Sequence, residues 1–181
     1  MFTRRLVVGF VTAFVLLASG CSSDKPTKTP TKTPSPSASP SLGPRAVAER
    51  DALAAYTGMW LAMGKAAEVP DPDAPELRQH AAETALARLV SVLVTYRETD
   101  VVTRGAPIVN ARVSGATPAD APTEITVADC GDSTNWTKHK KSTGELIKDD
   151  PRGRRNITAV VKPVDGSWKV VSFDVGDIGS C

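Results

Sequence analysis

Hydrophobic and polar residues follow four different patterns along this 181-residue chain. Residues 6–17 form an unbroken apolar run, whereas residues 22–44 contain almost no sizeable apolar side chain. From residue 46 to about residue 96, apolar side chains recur every three or four positions, which is typical of amphipathic helices. From residue 123 onward they alternate with polar side chains, which is typical of half-buried strands. The pattern therefore predicts a leader, a linker, and a domain whose helices precede its strands.

The first segment has the organisation of a secretory signal. Arg4 and Arg5 precede the apolar run, and three small residues at 18–20 separate that run from Cys21. The run is too short to span a bilayer as a mature helix. The small residues ending in Cys21 resemble the lipobox of bacterial lipoproteins, which implies that residues 1–20 are a lipoprotein signal peptide and that Cys21 is acylated. The alternative is an ordinary cleaved signal in which Cys21 has no role.

A proline-rich linker follows the leader. Residues 22–44 contain six prolines, many serines and threonines, several lysines, no aromatic residue, and only Leu42 as a sizeable apolar side chain. Such a segment cannot bury enough apolar surface to offset the entropy lost on ordering. We therefore expect residues 21–45 to be a lipidated cysteine followed by a disordered tether, which reaches at most about 70 Å in the polyproline II conformation.

Residues 46–181 are expected to form a single α+β domain. A first helix is predicted over 46–68 and a second from 74 or 75 to about 96, because each range carries an apolar stripe at helical spacing. Strands are predicted over 123–130, 155–163 and 167–175, and Asp-Gly between the last two is a strong hairpin signal. Helices segregated before strands predict two N-terminal helices packed on a curved antiparallel sheet.

The pleat of the last predicted strand divides its apolar residues between two faces. Val171, Phe173 and Val175 are expected on one face, and Trp168 and Val170 on the other. This assignment assumes that the strand is regular throughout.

The charge balance of the domain argues against nucleic-acid binding. The chain has 22 basic and 20 acidic side chains, but six of the basic ones and only one of the acidic ones precede residue 46. The domain therefore carries a net charge of about −3, whereas a nucleic-acid binder presents a basic face. The cations of the tether instead favour an anionic membrane surface next to a lipid anchor.

Two cysteines, Cys130 and Cys181, remain in the domain. An even pair in an exported domain predicts a disulfide, with two free buried thiols as the alternative. The sequence has no CxxC motif and no histidine-rich spacing. It therefore predicts neither a redox motif nor a metal site, and we expect no cofactor.

Three short segments carry a resemblance to a known family. They are Val102–Pro107, Val127–Ser133 and Val164–Val170, in that order after two predicted helices. The succession resembles small cell-envelope lipoproteins of actinobacteria with the nuclear transport factor 2-like (cystatin-like cone) fold. This resemblance implies a conical cavity between the sheet and the helices. It implies no particular activity, because the superfamily includes isomerases, cyclases, dehydratases and many non-enzymatic domains.

Four residues are candidates for lining such a cavity: Tyr56, Trp60, His80 and Asp129. Asp129 follows Ile125 at period two, which directs it to the apolar face, where a carboxylate can act in acid–base chemistry. The favoured alternative is that the alternation has ended and Asp129 caps the following turn. For Tyr56, Trp60 and His80 the alternatives are ordinary core packing or a solvated side chain. No catalytic residue is assigned.

A second candidate feature is a basic rim formed by loops of the meander. If these loops converge, their cations suit the phosphate or carboxylate groups of envelope polymers. The alternative is a set of solvated hairpin ends. The basic rim consists of Lys138, Lys140, Lys141, Arg152, Arg154 and Arg155.

The sequence thus predicts a lipid-anchored extracytoplasmic binding or interaction domain, held on the outer face of the cell membrane by its N-terminal cysteine. The expected partners are the membrane, through the lipid anchor, and an envelope protein or an anionic envelope polymer, but not nucleic acid. The alternative is a small cavity-based isomerase, cyclase or hydrolase. A buried titratable group with polar partners in the cavity favours the enzyme, whereas a filled or wholly apolar cone favours the binding domain.

Overall fold

The computed structural model describes residues 42–181. The predicted signal peptide, Cys21 and nearly all of the predicted tether lie outside the described residues. The helices and strands, in chain order, are α1 Pro44–Glu68, α2 Pro75–His80, α3 Glu83–Glu98, β1 Val101–Arg104, β2 Arg112–Thr117, β3 Glu124–Asp132, β4 Thr137–Lys140, β5 Arg154–Val164 and β6 Ser167–Val175. Helices therefore precede an all-antiparallel β region, as an α+β fold requires.

The first helix, α1, is the long central element of the core. Pro44 occupies its first turn, where the missing N–H costs nothing. Its buried face combines alanines with four larger side chains, Tyr56, Met59, Trp60 and Met63. Small residues allow the helix to approach the sheet closely, and the large ones fill the space on either side. In the part of the chain that the structure describes, no helix has the length and apolarity needed to cross a membrane.

The second predicted helix is divided into α2 and α3, which corrects the continuous helix expected over 75–96. Ala81 and Ala82 are extended at the break, and the Ala82 N–H donates to the Val170 carbonyl at 2.9 Å. Glu83 then has a φ of 49°, in the left-handed region. The break arises from a long-range hydrogen bond to β6, and the local sequence contains neither glycine nor proline that would signal it.

Four strands form the main sheet in the order β2-β3-β5-β6, with every neighbouring pair antiparallel. The predicted β5–β6 hairpin is confirmed. Its turn residues Asp165 and Gly166 have positive φ values of 52° and 78°, as a type I′ turn requires. The core lies between the helices and one face of this sheet.

The expected division of the last strand between two faces is wrong. Val160 pairs with Ser172 but Val161 pairs with Val170, so Val171 is an extra residue in a β-bulge. The bulge reverses the phase of the alternation. Val170 before it and Phe173 after it therefore both join the core cluster.

A separate two-stranded sheet, formed by antiparallel β1 and β4, was not predicted from the sequence. Each strand has only four residues, and β4 reads Thr-Lys-His-Lys, which shows no apolar alternation. Thr103 in β1 pairs with Lys138 in β4. These two strands bring polar residues from distant parts of the chain to one place.

The predicted disulfide between Cys130 and Cys181 is present, with Cα atoms 5.9 Å apart. The C-terminal residue, Cys181, is held beside β5, because the Gly179 N–H donates to the Arg154 carbonyl at 2.8 Å. The Asn156 N–H also donates to Ser180 Oγ at 2.8 Å. The glycine-rich tail is thus fixed by the crosslink and by hydrogen bonds.

Candidate functional site

The site begins on β3, where the alternation of buried and half-buried residues continues further along the chain than the sequence suggested. Ile125, Val127, Asp129 and Gly131 are all buried, and the residues between them are half-buried. Aliphatic side chains occupy the first half of this face, and a carboxylate and a glycine occupy the second. The polar half therefore lies on the core side of the sheet.

Asp129 is 1% exposed, and its carboxylate is held by two donors. The Tyr56 hydroxyl donates to Oδ2 at 2.9 Å, and the backbone N–H of Asn110 donates to Oδ1 at 2.7 Å. Asp129 does not cap the following turn, because the Thr134 N–H donates to Asp132 instead. The favoured alternative is therefore replaced by a buried carboxylate with polar partners.

Tyr56 remains protonated over the physiological range. Burial raises the pKa of its hydroxyl far above the usual value, and the negative charge of Asp129 raises it further, while the nearby Trp60 indole acts weakly in the opposite direction. A protonated Tyr56 is a permanent donor to Asp129. The pair thus fixes the orientation of the carboxylate.

Asp129 and Gly131 contribute to the wall of a cavity of about 200 Å³. It lies where α1, α3 and the β1–β4 sheet meet the ends of β3, β5 and β6. Much of the wall is apolar or aromatic: Trp60, Tyr96, Pro107, Ile108, Val109, Trp136, Ile157 and Val175. Trp60 and Trp136 meet edge to face, with ring centroids 6.5 Å apart, so the aromatic part of the wall is one packed unit.

Three buried polar atoms of the described residues have no hydrogen-bond partner there: Trp60 Nε1, Thr103 Oγ1 and Trp136 Nε1. All three side chains line this one cavity. An unpaired buried donor or acceptor costs about 1–3 kcal/mol, and such atoms are rare in native proteins. These atoms lie just behind the surface of the cavity, and their side chains make this wall the least saturated part of the described core.

One cation of the cavity is neutralised by the protein itself. Lys138 Nζ lies 2.7 Å from Asp150 Oδ1 and 5.6 Å from the centre of the Tyr96 ring. Burial disfavours the charged ammonium, but the hydrogen bond that Lys138 donates to Asp150 and the proximity of Tyr96 outweigh it and raise the pKa of Lys138. The ion pair joins β4 to the loop before β5 and contributes no net charge.

Two arginines of the cavity have no acidic partner within residues 42–181. Arg152 makes neither a hydrogen bond nor an ion pair there, and Arg155 contacts only the carbonyls of Gly176 and Pro151, both at 3.4 Å. Arg152 and Arg155 are both half-buried. Their charge is therefore available to a molecule in the cavity.

Half of the predicted basic rim does not belong to this site. Lys138, Arg152 and Arg155 line the cavity, whereas Lys140, Lys141 and Arg154 are exposed and lie elsewhere. The loops converge only in part. Lys138 lies opposite Thr103 in the cavity wall, whereas Lys140 ends β4 opposite Val101, which is outside the wall, and Lys141 follows it. The acids Asp129, Asp132 and Asp150 lie in the same wall, so the predicted uniform cationic rim is corrected to a mixed surface.

Of the four cavity candidates, Trp60 and Asp129 line the cavity, whereas Tyr56 and His80 do not, which corrects their assignment. Tyr56 contacts the site through its hydrogen bond to Asp129. The His80 imidazole lies against Gly58 of α1, so closely that a Cβ atom at that position would be 2.5 Å from the ring. Burial lowers the pKa of His80. Glycine at 58 is thus needed for the packing of α2 on α1, and His80 has a structural role.

Sequence reasoning missed Thr103, Asn110 and Trp136, which complete the site. Asn110 and Trp136 stand outside the named strands, and Thr103 lies in a strand too short to show a period. An isolated tryptophan in a polar segment, as at 136, was the one available signal. No group of three or more side chains suited to a metal ion occurs among residues 42–181.

No family model matches this chain, and no curated protein matches it. Among solved structures, it is similar to the intermembrane space region of the chloroplast protein ARC6, with a TM-score of 0.47, 10% identity, and coverage of 76% of this chain and 98% of that one. It is also similar to a protein of unknown function with a cystatin-like fold from Nostoc punctiforme, with a TM-score of 0.44, 11% identity, and coverage of 76% and 97%.

Proposed function

We propose that this chain is a lipid-anchored extracytoplasmic protein whose domain binds a small ligand in the cavity beside Asp129. The observation that carries the proposal is the gathering of three partnerless polar atoms, from Trp60, Thr103 and Trp136, around one cavity. A protein that filled this space only for stability would have apolar or mutually bonded side chains there. A bound polar molecule supplies the missing partners.

Two features support the extracytoplasmic location. A disulfide is typical of oxidising compartments outside the cytoplasm, and Cys130 and Cys181 form one. The leader at residues 1–20 has the organisation of an export signal, and its resemblance to a lipobox places the lipid on Cys21. Helices stacked on one face of an antiparallel sheet also agree with the cone fold of the actinobacterial lipoproteins that the sequence resembles.

The anchor is tested by metabolic labelling with a fatty-acid probe in a bacterial host that processes lipoproteins. The wild-type protein is expected to take up the probe and to sediment with the membrane, because an acylated Cys21 holds it there. Cys21→Ala is expected to lose both properties. A Cys21→Ala protein that still labels and stays in the membrane would contradict the anchor.

Ligand binding is tested on the full-length protein with a library of small polar fragments, followed by thermal unfolding. Binding to the native state raises the melting temperature in proportion to ligand saturation. Fragments that stabilise the wild-type protein are expected to lose their effect on Gly131→Ala, in which an added Cβ intrudes on the cavity wall. Stabilisation that is unchanged in Gly131→Ala would place the binding elsewhere.

A second candidate function is favoured by one observation, the buried carboxylate of Asp129 with its two polar partners in the cavity. That arrangement is the one expected of a small isomerase, cyclase or hydrolase that moves a proton. A buried titratable group with polar partners is the feature expected of an enzyme, so this observation by itself favours the second candidate. We still place binding first, because both carboxylate oxygens already accept a hydrogen bond from the protein. Asp129→Asn distinguishes the two functions, because it is expected to abolish turnover in an enzyme and to preserve affinity in a binding domain.

A further inference from the structure

We propose that the ligand of this cavity is a small monocarboxylic acid with an aromatic or branched aliphatic body. The carboxylate would lie against Arg152 and Arg155, and the body against the aromatic wall of Trp60 and Trp136. This inference rests on the proposed ligand-binding function, and it adds the chemical class of the ligand.

The apolar part of the cavity wall indicates that the main part of the ligand is apolar. Trp60, Trp136 and Ile157 present broad apolar surfaces, and apolar burial is the main source of affinity for small ligands. An engineered apolar cavity of about 150 Å³ binds benzene. The cavity here, at about 200 Å³, therefore has room for one ring or a branched chain with a short polar arm.

The head group of the ligand is inferred from the partners that each charged residue of the wall already has. Asp150 is paired with Lys138. Asp129 accepts hydrogen bonds from two protein donors, as described above. The side chain of Thr134, together with its N–H that donates to Asp132, lowers the pKa of the Asp132 carboxyl, with a smaller contribution from Arg154. Among the charged groups of the wall, only Arg152 has no partner within residues 42–181, and Arg155 contacts only two backbone carbonyls at 3.4 Å.

Those cations are guanidinium groups, which favours a planar anion. Arginine presents a fork of N–H donors that matches the two oxygens of a carboxylate. A doubly charged phosphate fits this wall less well, because Asp129 and Asp132 lie in the same cavity and would repel its additional charge. The wall carries three acids and three bases, so a ligand with one negative charge fits it better than a ligand with two.

The experiment compares four ring compounds that differ only in their head group, by isothermal titration calorimetry of the full-length protein. They are benzoate, benzamide, benzylammonium and phenyl phosphate. Benzoate is expected to bind at least tenfold more tightly than benzamide, which keeps the shape but has no charge. Benzylammonium is expected to bind least, because its cation faces Arg152 and Arg155.

Three variants test whether Arg152 binds the carboxylate of the ligand. Arg152→Gln is expected to weaken benzoate about tenfold while leaving benzamide unchanged, because a charge-assisted hydrogen bond is lost. Arg152→Lys is expected to fall between the wild type and Arg152→Gln, because it keeps the charge but not the fork. Arg154→Gln is the matched control, since Arg154 is exposed and does not line the cavity.

The outcomes separate this inference from the function on which it rests. Equal affinity for benzoate and benzamide, or tighter binding of phenyl phosphate or benzylammonium, would overturn the carboxylate and leave ligand binding intact. An equal loss of benzoate affinity in Arg154→Gln would overturn the assignment to the cavity. Failure of all four compounds, together with failure of the fragment library, would overturn the proposed function itself.

Discussion

The first and second halves of strand β3 place their buried residues on the same face of the sheet, but these residues differ in chemistry. Ile125 and Val127 in the first half are completely buried among aliphatic side chains of the core. Asp129 and Gly131 in the second half replace that packing with a hydrogen-bonded carboxylate and a missing side chain. The comparison shows how residue choice along one regular strand forms one part of the cavity wall.

The two halves are also stabilised by different interactions. The first half is stabilised by apolar burial, which is non-directional and requires apolar side chains at the buried positions. The second half depends on directed hydrogen bonds and on the disulfide of Cys130, whose neighbours in the chain both line the cavity. We therefore expect substitutions in the first half to change stability alone, and those in the second half to change ligand binding as well.

The largest effect is expected from removing the crosslink of the second half. The double substitution Cys130→Ala and Cys181→Ala should lower the free energy of unfolding by about 4 kcal/mol, from the entropy of a loop of this length. Urea unfolding under non-reducing conditions measures the loss. Reduction of the wild-type protein should produce a similar loss, and the double variant should not respond to reductant. Equal stability with and without the crosslink would contradict this account.

A smaller loss is expected from truncation in the first half. Ile125→Ala should cost about 3 kcal/mol, because it removes buried methyl groups and leaves a void. Chemical denaturation gives the change, and calorimetry with the carboxylate ligand gives the affinity. Affinity should stay within twofold of the wild type under conditions where the variant is folded. A tenfold loss of affinity would show that the two halves are not separate.

The next smaller loss of stability is expected where the second half of β3 contacts α1. Tyr56→Phe should cost about 2 kcal/mol, because it removes a hydrogen bond to a buried charged group. A double-mutant cycle with Asp129→Asn provides the control, since the two substitutions should be strongly non-additive. Additive losses would show that the contact between Tyr56 and Asp129 contributes little.

The smallest stability effect is expected at the glycine of the second half. In Gly131→Ala the new Cβ would lie 2.8 Å from Ile157 Cδ1, the mobile end of a flexible side chain, and 3.2 Å from Asp129 Oδ2, so the cost should be about 1 kcal/mol. The displaced Ile157 should narrow the cavity and weaken ligand binding. Gly115→Ala in β2 is the matched control, because its Cβ meets only Thr126, with Oγ1 at 3.4 Å and Cβ at 3.5 Å. Weaker binding in the control alone would refute this reading of the cavity.

The sequence predicted those parts of the molecule that depend on local patterns. Helix α1, the β5–β6 hairpin and the Cys130–Cys181 pair follow from periodicity, a turn dipeptide and cysteine parity. The buried position of Asp129 was implied by its phase with Ile125. The phase alone is not decisive, because a buried carboxylate is costly unless it has partners, and its partner Tyr56 lies 73 positions away in the chain.

The parts that escaped prediction depend on distant contacts. The break between α2 and α3 arises from a hydrogen bond to Val170, and the bulge at Val171 has no marker residue. The cavity itself needs β1 and β4, whose pairing brings Thr103 opposite Lys138. Neither strand is long enough to display a period, so no pattern along the chain could reveal the wall that they form.

The central claim, that the cavity beside Asp129 is a ligand site, is tested most directly by the indole N–H signals in a nitrogen-15 NMR spectrum of the full-length protein. The chain has three tryptophans, of which Trp60 and Trp136 line the cavity and Trp168 does not. Saturation with benzoate is expected to shift the signals of Trp60 and Trp136 and to leave that of Trp168 in place. A shift confined to Trp168, or no shift at a concentration that calorimetry shows to be saturating, would contradict the account.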